Sequence, residues 1–363
     1  MRRKVVTIVG ARPQFIKCSP LSKVLRSRFQ EVLVHTGQHY DDAMSRVFFE
    51  ELHIPPPDHH LGVGSGSHAE QTGNMLIGLE QVLQRERPDL VVVFGDTNST
   101  LAGALAAAKL HMPVAHVEAG VRSFNRAMPE EINRVATDHV SDLLFCPTGT
   151  AMRHLKREGI EKGAHQTGDV MYDAVLAHRE EAKSRSRILE ELGLSPKAYY
   201  LATVHRPGNT EDPSRLLAIL EAFEALSAPV VFPMHPRTRE AIADLGVDLV
   251  SESTHSEVRM MGPVSYLDML VLTESARKVL TDSGGLQKEA YFLGVPSLIL
   301  RSETEWVELV QGGASILVGA DREAIVEAAK QDQEARWEAD VFGDGKAADH
   351  MTERIEEFFA PLP

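Results

Sequence analysis

The stretch TDSGGLQKEA, from Thr281 to Ala290, decides the fold of this chain. It follows a short apolar run, its two glycines, Gly284 and Gly285, permit a tight turn, and good helix formers come next, so a strand, a turn and a helix are predicted. The free N–H groups at the start of that helix and the Ser283 hydroxyl would face an anion. Glu289, roughly one and a half turns into the helix, could accept hydrogen bonds from ribose hydroxyls. The stretch therefore predicts a cradle for a nucleotide diphosphate.

Short β-branched runs alternate with helical patterns along the rest of the chain. The predicted strands are Lys4–Val9, Val32–His35, Leu90–Phe94, Val114–Val117 and Leu143–Cys146, then Tyr199–Thr203, Val230–Pro233, Lys278–Thr281, Ser297–Leu300 and Ser315–Val318. The predicted helices include Phe15–Arg26, Ala69–Gln84, Ser99–Leu110, Ser214–Leu226, Arg322–Lys330 and Met351–Phe359. Such alternation indicates an α/β protein with two parallel sheets, each covered by helices on both faces. Ligands of such sheets bind beyond the carboxyl ends of the strands, so we expect a cleft between two facing sheets.

The bulk composition is that of a globular protein that does not bind nucleic acid. The chain has 363 residues, enough for two domains, with 43% hydrophobic and 25% charged residues. Its net charge of −14 argues against nucleic acid or an anionic membrane as a partner. The two cysteines, Cys18 and Cys146, are too few for a disulfide framework or a metal ligand set, and we expect two buried thiols in a reducing cytoplasm. The basic start precedes a first strand rather than a signal peptide, and no apolar run is long enough to span a membrane.

The first predicted strand is followed by GARPQFIK, from Gly10 to Lys17. Pro13 is well placed to begin a helix, and Arg12 and Lys17 bring two cations close to its amino terminus. The glycine fingerprint of nicotinamide dinucleotides is missing from this turn, so a nicotinamide cofactor is not expected. The neighbouring histidines His59 and His60 are predicted to lie in a solvated loop and not to bind a metal.

Three acidic residues follow strands of the first half. Asp96 ends the most hydrophobic strand, where a helix N-cap is its default role, although the polar residues after it can cap equally well. Glu118 ends the next strand, and a carboxylate in that position is costly unless it is paired or used. Glu130 precedes Arg134 by one helical turn, which by itself indicates a surface ion pair. Together the three carboxylates at one sheet edge indicate an acid–base set.

Histidine and arginine follow two strands of the second half. His205 and Arg206 end one strand, and His235 and Arg237 end the next. These four side chains suit a polyphosphate. The run from Arg301 to Trp306 adds a further charged loop to the same edge.

Taken together, these motifs resemble the non-hydrolysing UDP-N-acetylglucosamine 2-epimerases over nearly the whole chain. The resemblance rests on GARPQFIK, VHTGQH, GDTNST, HVEAG, PEEINR, HR, HPR, TDSGGLQKEA and ETEW. It implies a GT-B fold, which consists of two Rossmann-like doubly wound domains with a cleft between them. The expected boundaries are 1–170 for the first domain, 171–345 for the UDP-binding domain and 346–363 for a C-terminal helix that returns to the first domain. It also implies a cytoplasmic homodimer that serves cell-surface polysaccharide synthesis.

The resemblance also implies a reaction and a set of site residues. The family removes the proton at carbon 2 of the sugar while UDP leaves carbon 1, and the resulting 2-acetamidoglucal takes UDP back with a proton on the other face. Neither a metal nor another cofactor is implied. The residues that match the family's acid–base and catalytic positions are Asp96, Glu118, Glu130 and His205. Those that match substrate and UDP contacts are Arg12, Lys17, Arg134, Arg206, His235, Ser283, Gly284, Gly285 and Glu289.

Several positions favour a sister branch, which epimerises UDP-2,3-diacetamido-2,3-dideoxy-glucuronate. Gln14 stands where many UDP-N-acetylglucosamine enzymes have Glu, Asn98-Ser99 replaces a common Thr-Thr, and the strings RPQFIK, GDTNSTLAGALAA, VRSFNRAMPEEINR and ETEWVELV resemble that branch. Ser302 departs from both branches, because it replaces an Asp that is often found after the matching Arg even in the sister branch. The primary interpretation is interconversion of UDP-N-acetylglucosamine and UDP-N-acetylmannosamine, and the sister reaction is the alternative. A GT-B glycosyltransferase and a non-catalytic nucleotide-sugar binding protein are more distant alternatives, because neither needs three acids on the first domain's edge.

Many bacterial members of the family are activated by their substrate in a second pocket. Gln38, His39 and Arg206 are compatible with such a pocket, whereas Asp41 stands in place of a Gln and Asn74 in place of an Arg. A lost cation and a gained anion disfavour a diphosphate. We therefore expect little or no activation by UDP-N-acetylglucosamine.

Overall fold

The computed structural model describes residues 2–38, 48–246, 258–333, 335–338 and 340–360. The chain divides into two compact units: unit 1 comprises Met1–Ala177 with Ala339–Pro363, and unit 2 comprises His178–Glu338. The first division falls inside one helix, a few residues after the boundary predicted from the sequence. The second falls a few residues before the predicted one.

Unit 1 is built on a parallel sheet of seven strands. In chain order its strands are β1 Lys4–Val9, β2 Gln30–His35, β3 His59–His60, β4 Leu90–Phe94, β5 Val114–Val117, β6 Leu143–Cys146 and β7 Ala164–Gln166. Their spatial order is β3-β2-β1-β4-β5-β6-β7, so β1, β4 and β5 lie side by side at the centre. The strands β4 and β5 are buried along their whole length, as expected for a parallel sheet covered on both faces, and His116 of β5 is the one polar residue in them.

The helices of unit 1 alternate with these strands. They are α1 Arg12–Arg28, α2 His68–Glu86, α3 Asn98–Lys109, α4 Pro129–Val140, α5 Gly149–Arg157, α6 Val170–Arg185, which continues into unit 2, and the C-terminal helix, Ala347–Phe359. Pro13 and Pro129 stand in the first turns of α1 and α4, where their missing N–H groups cost no helical hydrogen bond.

Unit 2 contains a second parallel sheet, of six strands. These are β8 Tyr200–Thr203, β9 Val230–Pro233, β10 Val258–Met261, β11 Lys278–Thr281, β12 Ser297–Ile299 and β13 Ser315–Leu317, in the spatial order β10-β9-β8-β11-β12-β13. Its helices are α7 Ile188–Glu191, α8 Pro207–Thr210, α9 Pro213–Glu224, α10 Pro236–Asp244, α11 Tyr266–Ser275, α12 Gly284–Phe292, α13 Val307–Gln311 and α14 Arg322–Lys330. Because β8 and β11 are neighbours, the loops after them lie side by side. The predicted α/β class with two doubly wound parallel sheets is confirmed.

The C-terminal helix, α15 (Ala347–Phe359), packs against α1 within unit 1. Arg28 Nη1 lies 2.6 Å from Glu356 Oε2, and the rings of Phe29 and Phe359 meet edge to face. The Asp173 carboxylate of α6 accepts hydrogen bonds from the first two N–H groups of α15, at 3.1 and 2.8 Å. This side chain from another helix satisfies N–H groups that α15 cannot satisfy by itself.

Three short strands differ from the sequence prediction. His59 and His60 were expected in a solvated loop, but they form β3, and His59 Nε2 lies 2.9 Å from Glu86 Oε1. The strands β7 and β10 were not predicted, because each is a short strand at a sheet edge without fully buried residues.

No helix in the described part of the chain combines the length and the apolar character needed to cross a membrane.

Candidate active site

Glu118 and Lys17 form a nearly buried ion pair at the carboxyl edge of the unit 1 sheet. Lys17 Nζ lies 2.6 Å from Glu118 Oε1, and the two side chains are 6% and 11% exposed. Glu118 follows β5 directly, and its φ of 71° is a left-handed conformation that a residue with a side chain rarely adopts. Such strain persists only where the surroundings hold it, and it is often found at functional sites.

Asp96 follows the neighbouring strand β4 and pairs with Arg134 of α4. Arg134 Nη2 donates to Asp96 Oδ2, and Arg134 Nη1 donates to Glu131 Oε2 at 2.9 Å. The Asn133 amide holds the Asp96 backbone from the same helix, 2.9 Å from its carbonyl oxygen. The Arg134 guanidinium is buried, and the carboxylates of Asp96 and Glu131 compensate its positive charge.

Asp96 is not a helix cap. Thr97 caps α3 instead, with its hydroxyl accepting from the N–H of Thr100. The role of helix N-cap, which was the default for Asp96, is therefore wrong, and the Asp96 side chain pairs with Arg134 instead.

Glu130 lies in the first turn of α4, half-buried, on the helix that carries Arg134. Glu130 and Glu131 both lie within one helical turn of Arg134, and the structure shows an ion pair between Arg134 and Glu131. Glu131 also accepts from the N–H and hydroxyl of Ser123 and from the N–H of Phe124, each at 2.9 Å. Glu131 thus fixes the loop before α4 and orients Arg134, a role that the sequence analysis missed.

A buried charge network lies beneath these acids. His116 of β5 contacts Asp138 Oδ1 of α4 through Nδ1 at 2.6 Å and the Gly95 carbonyl through Nε2 at 2.7 Å. Asp138 also accepts from the N–H of Gly120 at 3.1 Å and pairs with Arg122 Nη1 at 2.7 Å. Burial alone would raise the pKa of the Asp138 carboxyl, but the His116 and Arg122 charges outweigh it and hold the pKa below its ordinary value.

The loop after β1 is fixed by the buried side chain of Gln14. Its oxygen accepts from the N–H groups of Gly10 and Ala11 at 2.8 and 3.0 Å, and its amide nitrogen donates to the Phe94 carbonyl at 2.9 Å. Arg12 lies beside this loop with its guanidinium carbon 4.4 Å from the centre of the Phe48 ring. The start of α1, which carries Arg12, is therefore tied to the end of β4, the strand that precedes Asp96.

In unit 2 the predicted diphosphate cradle lies at the start of α12. Ser283 is its N-cap, with the hydroxyl 3.4 Å from the N–H of Leu286. Gly284 is buried, and a Cβ atom there would stand 2.4 Å from Glu305 Oε1, so any other residue would require the Glu305 side chain to shift. Glu289 is buried in the second turn, 6% exposed. Gly285, half-buried in the first turn, completes the strand-to-helix turn that the sequence predicted.

The Asp282 side chain fixes the loop that contains His205 and Arg206. Its fully buried carboxylate accepts from the backbone N–H groups of both residues, at 3.0 to 3.1 Å, and from Asn209 Nδ2 at 3.0 Å. His205 Nδ1 lies 3.4 Å from Asp282 Oδ1. The sequence analysis did not single out Asp282, because its bonds join strands that are far apart in the chain.

The remaining residues of this edge are less enclosed. His235 is exposed and caps α10, with Nδ1 accepting from the N–H of Arg237 at 3.3 Å. Arg206 Nη2 lies 3.9 Å from Glu305 Oε1, and Arg301 Nη1 lies 2.9 Å from Glu305 Oε2. Two arginines therefore converge on one buried carboxylate beside the cradle.

Some residues of the expected effector pocket lie outside the described ranges, namely His39 and Asp41. Gln38 accepts from the Ser99 hydroxyl and N–H at 2.6 and 3.0 Å, and Asn74 is exposed on α2. Low activation by substrate stays a prediction. Within the described ranges no group of three or more His, Cys, Asp and Glu side chains is arranged to hold a metal ion.

Comparison with known proteins identifies the family. A profile of the UDP-N-acetylglucosamine 2-epimerases matches residues 23–356. The chain belongs to the UDP-N-acetylglucosamine 2-epimerase family. It is thus an isomerase of the epimerase class, as the motifs predicted.

Relatives in this epimerase family cover almost the whole chain. A UDP-2,3-diacetamido-2,3-dideoxy-D-glucuronate 2-epimerase of Pseudomonas aeruginosa is 50% identical over 370 residues, which is 99% of this chain and 100% of the relative. A UDP-N-acetylglucosamine 2-epimerase homolog of Methanococcus maripaludis is 54% identical over 325 residues, covering 89% of this chain and 91% of the relative.

A solved structure shows the fold of the epimerase. The Methanocaldococcus jannaschii UDP-GlcNAc 2-epimerase, crystallised with UDP-GlcNAc and UDP, matches with a TM-score of 0.91 and 41% identity over 98% of this chain and 99% of that one. The GT-B fold class predicted from the sequence is confirmed.

Proposed function

We propose that this epimerase inverts carbon 2 of a UDP-activated 2-acetamido sugar by elimination and re-addition of UDP. In the first step a carboxylate takes the proton from carbon 2, the bond between carbon 1 and the diphosphate oxygen breaks, and its electron pair leaves with UDP. The products are UDP and a 2-acetamidoglucal with a double bond between carbons 1 and 2. In the second step the diphosphate oxygen bonds to carbon 1 again and a proton is added to carbon 2 from the other face.

The observation that carries the proposal is the acid set of unit 1. Asp96 and Glu118 follow neighbouring strands, and Glu130 begins the helix that supplies Arg134. Proton transfer at carbon 2 on both faces needs more than one carboxyl group, and positioned acids and bases typically contribute about 100- to 10,000-fold in rate. Two of the three carboxylates have a cationic partner, since Lys17 pairs with Glu118 and Arg134 pairs with Asp96.

The unit 2 residues suit the UDP part of the substrate. The amino terminus of α12 with Ser283 favours an anion, and Glu289 offers a carboxylate to ribose hydroxyls. His205 and Arg206, held by Asp282, supply donors for the leaving diphosphate. In this proposal unit 2 binds and stabilises the leaving group, and unit 1 moves protons.

For the sugar we propose UDP-N-acetylglucosamine with UDP-N-acetylmannosamine as its product. The family identity and the relative crystallised with UDP-GlcNAc support this assignment. Incubation in heavy water tests the reaction: product isolated from UDP-N-acetylglucosamine should carry deuterium at carbon 2. Product that retains the original hydrogen would exclude proton removal by these carboxylates.

The second candidate substrate is UDP-2,3-diacetamido-2,3-dideoxy-glucuronate. It is favoured by the 50% identity to the Pseudomonas aeruginosa enzyme of that name, against 41% to the Methanocaldococcus jannaschii enzyme. The ratio of kcat/KM for the two UDP-sugars decides between them. A cytoplasmic homodimer that serves cell-surface polysaccharide synthesis remains our expectation, and light scattering of the purified protein tests the dimer.

A further inference from the structure

One buried side chain, His116, connects the three segments that carry the acid set. Its ring is 0% exposed and lies between the end of β4, the end of β5 and helix α4. Through Nε2 it bonds the Gly95 carbonyl, directly before Asp96, and through Nδ1 it bonds Asp138, on the helix that carries Glu130.

Both ring nitrogens of His116 face hydrogen-bond acceptors. A backbone carbonyl can only accept, and Nε2 lies against the carbonyl of Gly95. Nδ1 lies against the Asp138 carboxylate, which also accepts from Arg122 and from the N–H of Gly120. The His116 ring therefore joins the end of β4 to helix α4.

These bonds act on backbone positions that are unusually constrained. Gly95 has a φ of 61° and Gly120 a φ of 75°, and Glu118 between them in the network has a φ of 71°. Glu118 is held from both sides along the chain, because His116, two residues before it, and Gly120, two residues after it, both bond to the Asp138 carboxylate.

We propose that His116, held by Asp138, is a positioning residue for epimerisation, which fixes the backbone that presents Asp96 and Glu118. This inference rests on the function proposed above. It assigns His116 no contact with the substrate. A displacement of about 1 Å in a catalytic group can lower the rate about 100-fold, so the loss of this connection should reduce turnover without weakening the binding of UDP.

Two substitutions separate the bonds of His116. In His116→Gln the side-chain amide reaches the position of Nε2 and can still donate to the Gly95 carbonyl. In His116→Asn the shorter amide takes the position of Nδ1 and can still donate to Asp138, but it cannot reach Gly95. We expect kcat to fall about 100-fold in His116→Asn and less than about tenfold in His116→Gln, with KM and the UDP dissociation constant within about threefold of wild type in both.

A control variant accounts for the destabilisation that both substitutions cause. Glu31 is also buried in unit 1 and accepts from Thr7, Ser22 and Arg26, at 2.5 to 2.7 Å, at the amino end of β2 and away from the acid set. Glu31→Gln should lower the melting temperature but leave kcat unchanged. A loss of kcat in Glu31→Gln as large as in His116→Asn would show that stability alone governs turnover and would overturn the proposal.

Asp138→Asn keeps the test decisive if His116→Asn does not fold. The new amide oxygen can accept from Gly120 and Arg122, and the amide nitrogen can donate to a neutral His116 that still donates to Gly95. Because all these bonds survive, we expect kcat within about tenfold of wild type. A fall of about 100-fold, or equal losses in His116→Asn and His116→Gln, contradicts positioning through the Gly95 bond.

The readout is the rate of deuterium incorporation at carbon 2 in heavy water, measured with UDP-N-acetylglucosamine and with its diacetamido-glucuronate counterpart. Wild type that incorporates no deuterium from either sugar refutes the proposed function and, with it, any role of His116 in that reaction. Wild type that exchanges while His116→Asn exchanges equally fast refutes only the inference on His116.

Discussion

Lys17 Nζ and Glu118 Oε1 lie 2.6 Å apart, in an ion pair that is almost completely enclosed by unit 1. The two residues are 101 positions apart in the chain. Lys17 lies on α1, which follows β1, Glu118 follows β5, and β4 lies between β1 and β5 in the sheet. The residue directly after β4 is Gly95, and a Cβ atom added to it would stand 3.3 Å from Lys17 Nζ and 3.6 Å from Glu118 Oε1. A side chain at position 95 would therefore crowd the Lys17 ammonium, which would have to move by a few tenths of an ångström.

The first prediction concerns Gly95→Ala. We expect a destabilisation of about 1 kcal/mol from the positive φ of 61°, together with a clear loss of kcat because the new methyl group displaces the Lys17 ammonium. Gly159→Ala is the matched control, since Gly159 has a φ of 79° and nothing within 4 Å of an added Cβ. Melting temperature and kcat are measured for both variants. Equal kcat values in the two would show that the ion pair does not need the space at Gly95.

The second prediction separates the roles of the two units. Asp96→Asn, Glu118→Gln and Glu130→Gln should each lower kcat by about 100- to 10,000-fold and leave UDP binding largely intact. Ser283→Ala and Glu289→Ala should chiefly weaken UDP binding. Calorimetric titration with UDP, beside the turnover of each variant, is the measurement. The opposite pattern, in which unit 1 variants lose UDP and unit 2 variants lose turnover, would mean that the roles of the units are reversed.

The fold was predictable where the strands are buried over their full length. The bounds of β4 and β5 were predicted correctly because Leu90–Phe94 and Val114–Val117 are continuous buried runs between turn residues. The strands β7 and β10 escaped prediction because edge strands are half-exposed and need no apolar run. Their pairing is determined by the neighbouring strands β6 and β9, which a local pattern does not record.

The positions of the site residues in the fold were predictable from the sequence, but the contacts between them were less so. Residues after strands β4, β5, β8 and β11 were identified because the carboxyl ends of parallel strands meet at one edge. The bond between Arg134 and Glu131 was not predictable, because Glu130 and Glu131 both lie within one helical turn of Arg134. The role of Asp282 was not predictable for a similar reason, because its partners, His205 and Arg206, lie in the loop after a different strand.

The third prediction concerns Gln14, which stands where many relatives were expected to have Glu. Its amide nitrogen donates to the Phe94 carbonyl and to Thr100 Oγ1, at 2.9 and 3.0 Å. A carboxylate in Gln14→Glu would face the carbonyl oxygen with no proton to donate, so we expect a loss of about 1–3 kcal/mol in stability at neutral pH. The loss should shrink at low pH, where a protonated carboxyl can donate.

Thermal denaturation at pH 5 and pH 8 measures this effect. Gln84→Glu is the control, because Gln84 is exposed on α2 and the substitution adds the same charge without burial. A Gln14→Glu variant that matches Gln84→Glu at both pH values would show that the amide donor is dispensable and that Glu is equally suitable at this position.

The fourth prediction concerns the pH dependence of the C-terminal helix. Burial raises the pKa of the Asp173 carboxyl from 3.8 to about 6, although the N–H groups of Ala347 and Ala348 oppose the rise and Asp169 and Asp344 add to it. The folded chain therefore binds this proton more tightly than the unfolded chain. Between about pH 4 and pH 6 the folded state holds more protons, so this group's contribution to stability is full below that window and declines as the pH rises through it.

Asp173→Asn removes the titration and isolates the effect. Each unit of pKa difference corresponds to about 1.4 kcal/mol, so the stability of wild type relative to Asp173→Asn should fall by up to about 3 kcal/mol between pH 4 and pH 7. Hydrogen exchange of the α15 amides measures this locally, and comparison of the two proteins at each pH cancels the intrinsic pH dependence of exchange. Protection of wild type that instead rises with pH relative to the variant would mean that the hydrogen bonds to Ala347 and Ala348 favour the charged carboxylate more strongly than burial disfavours it.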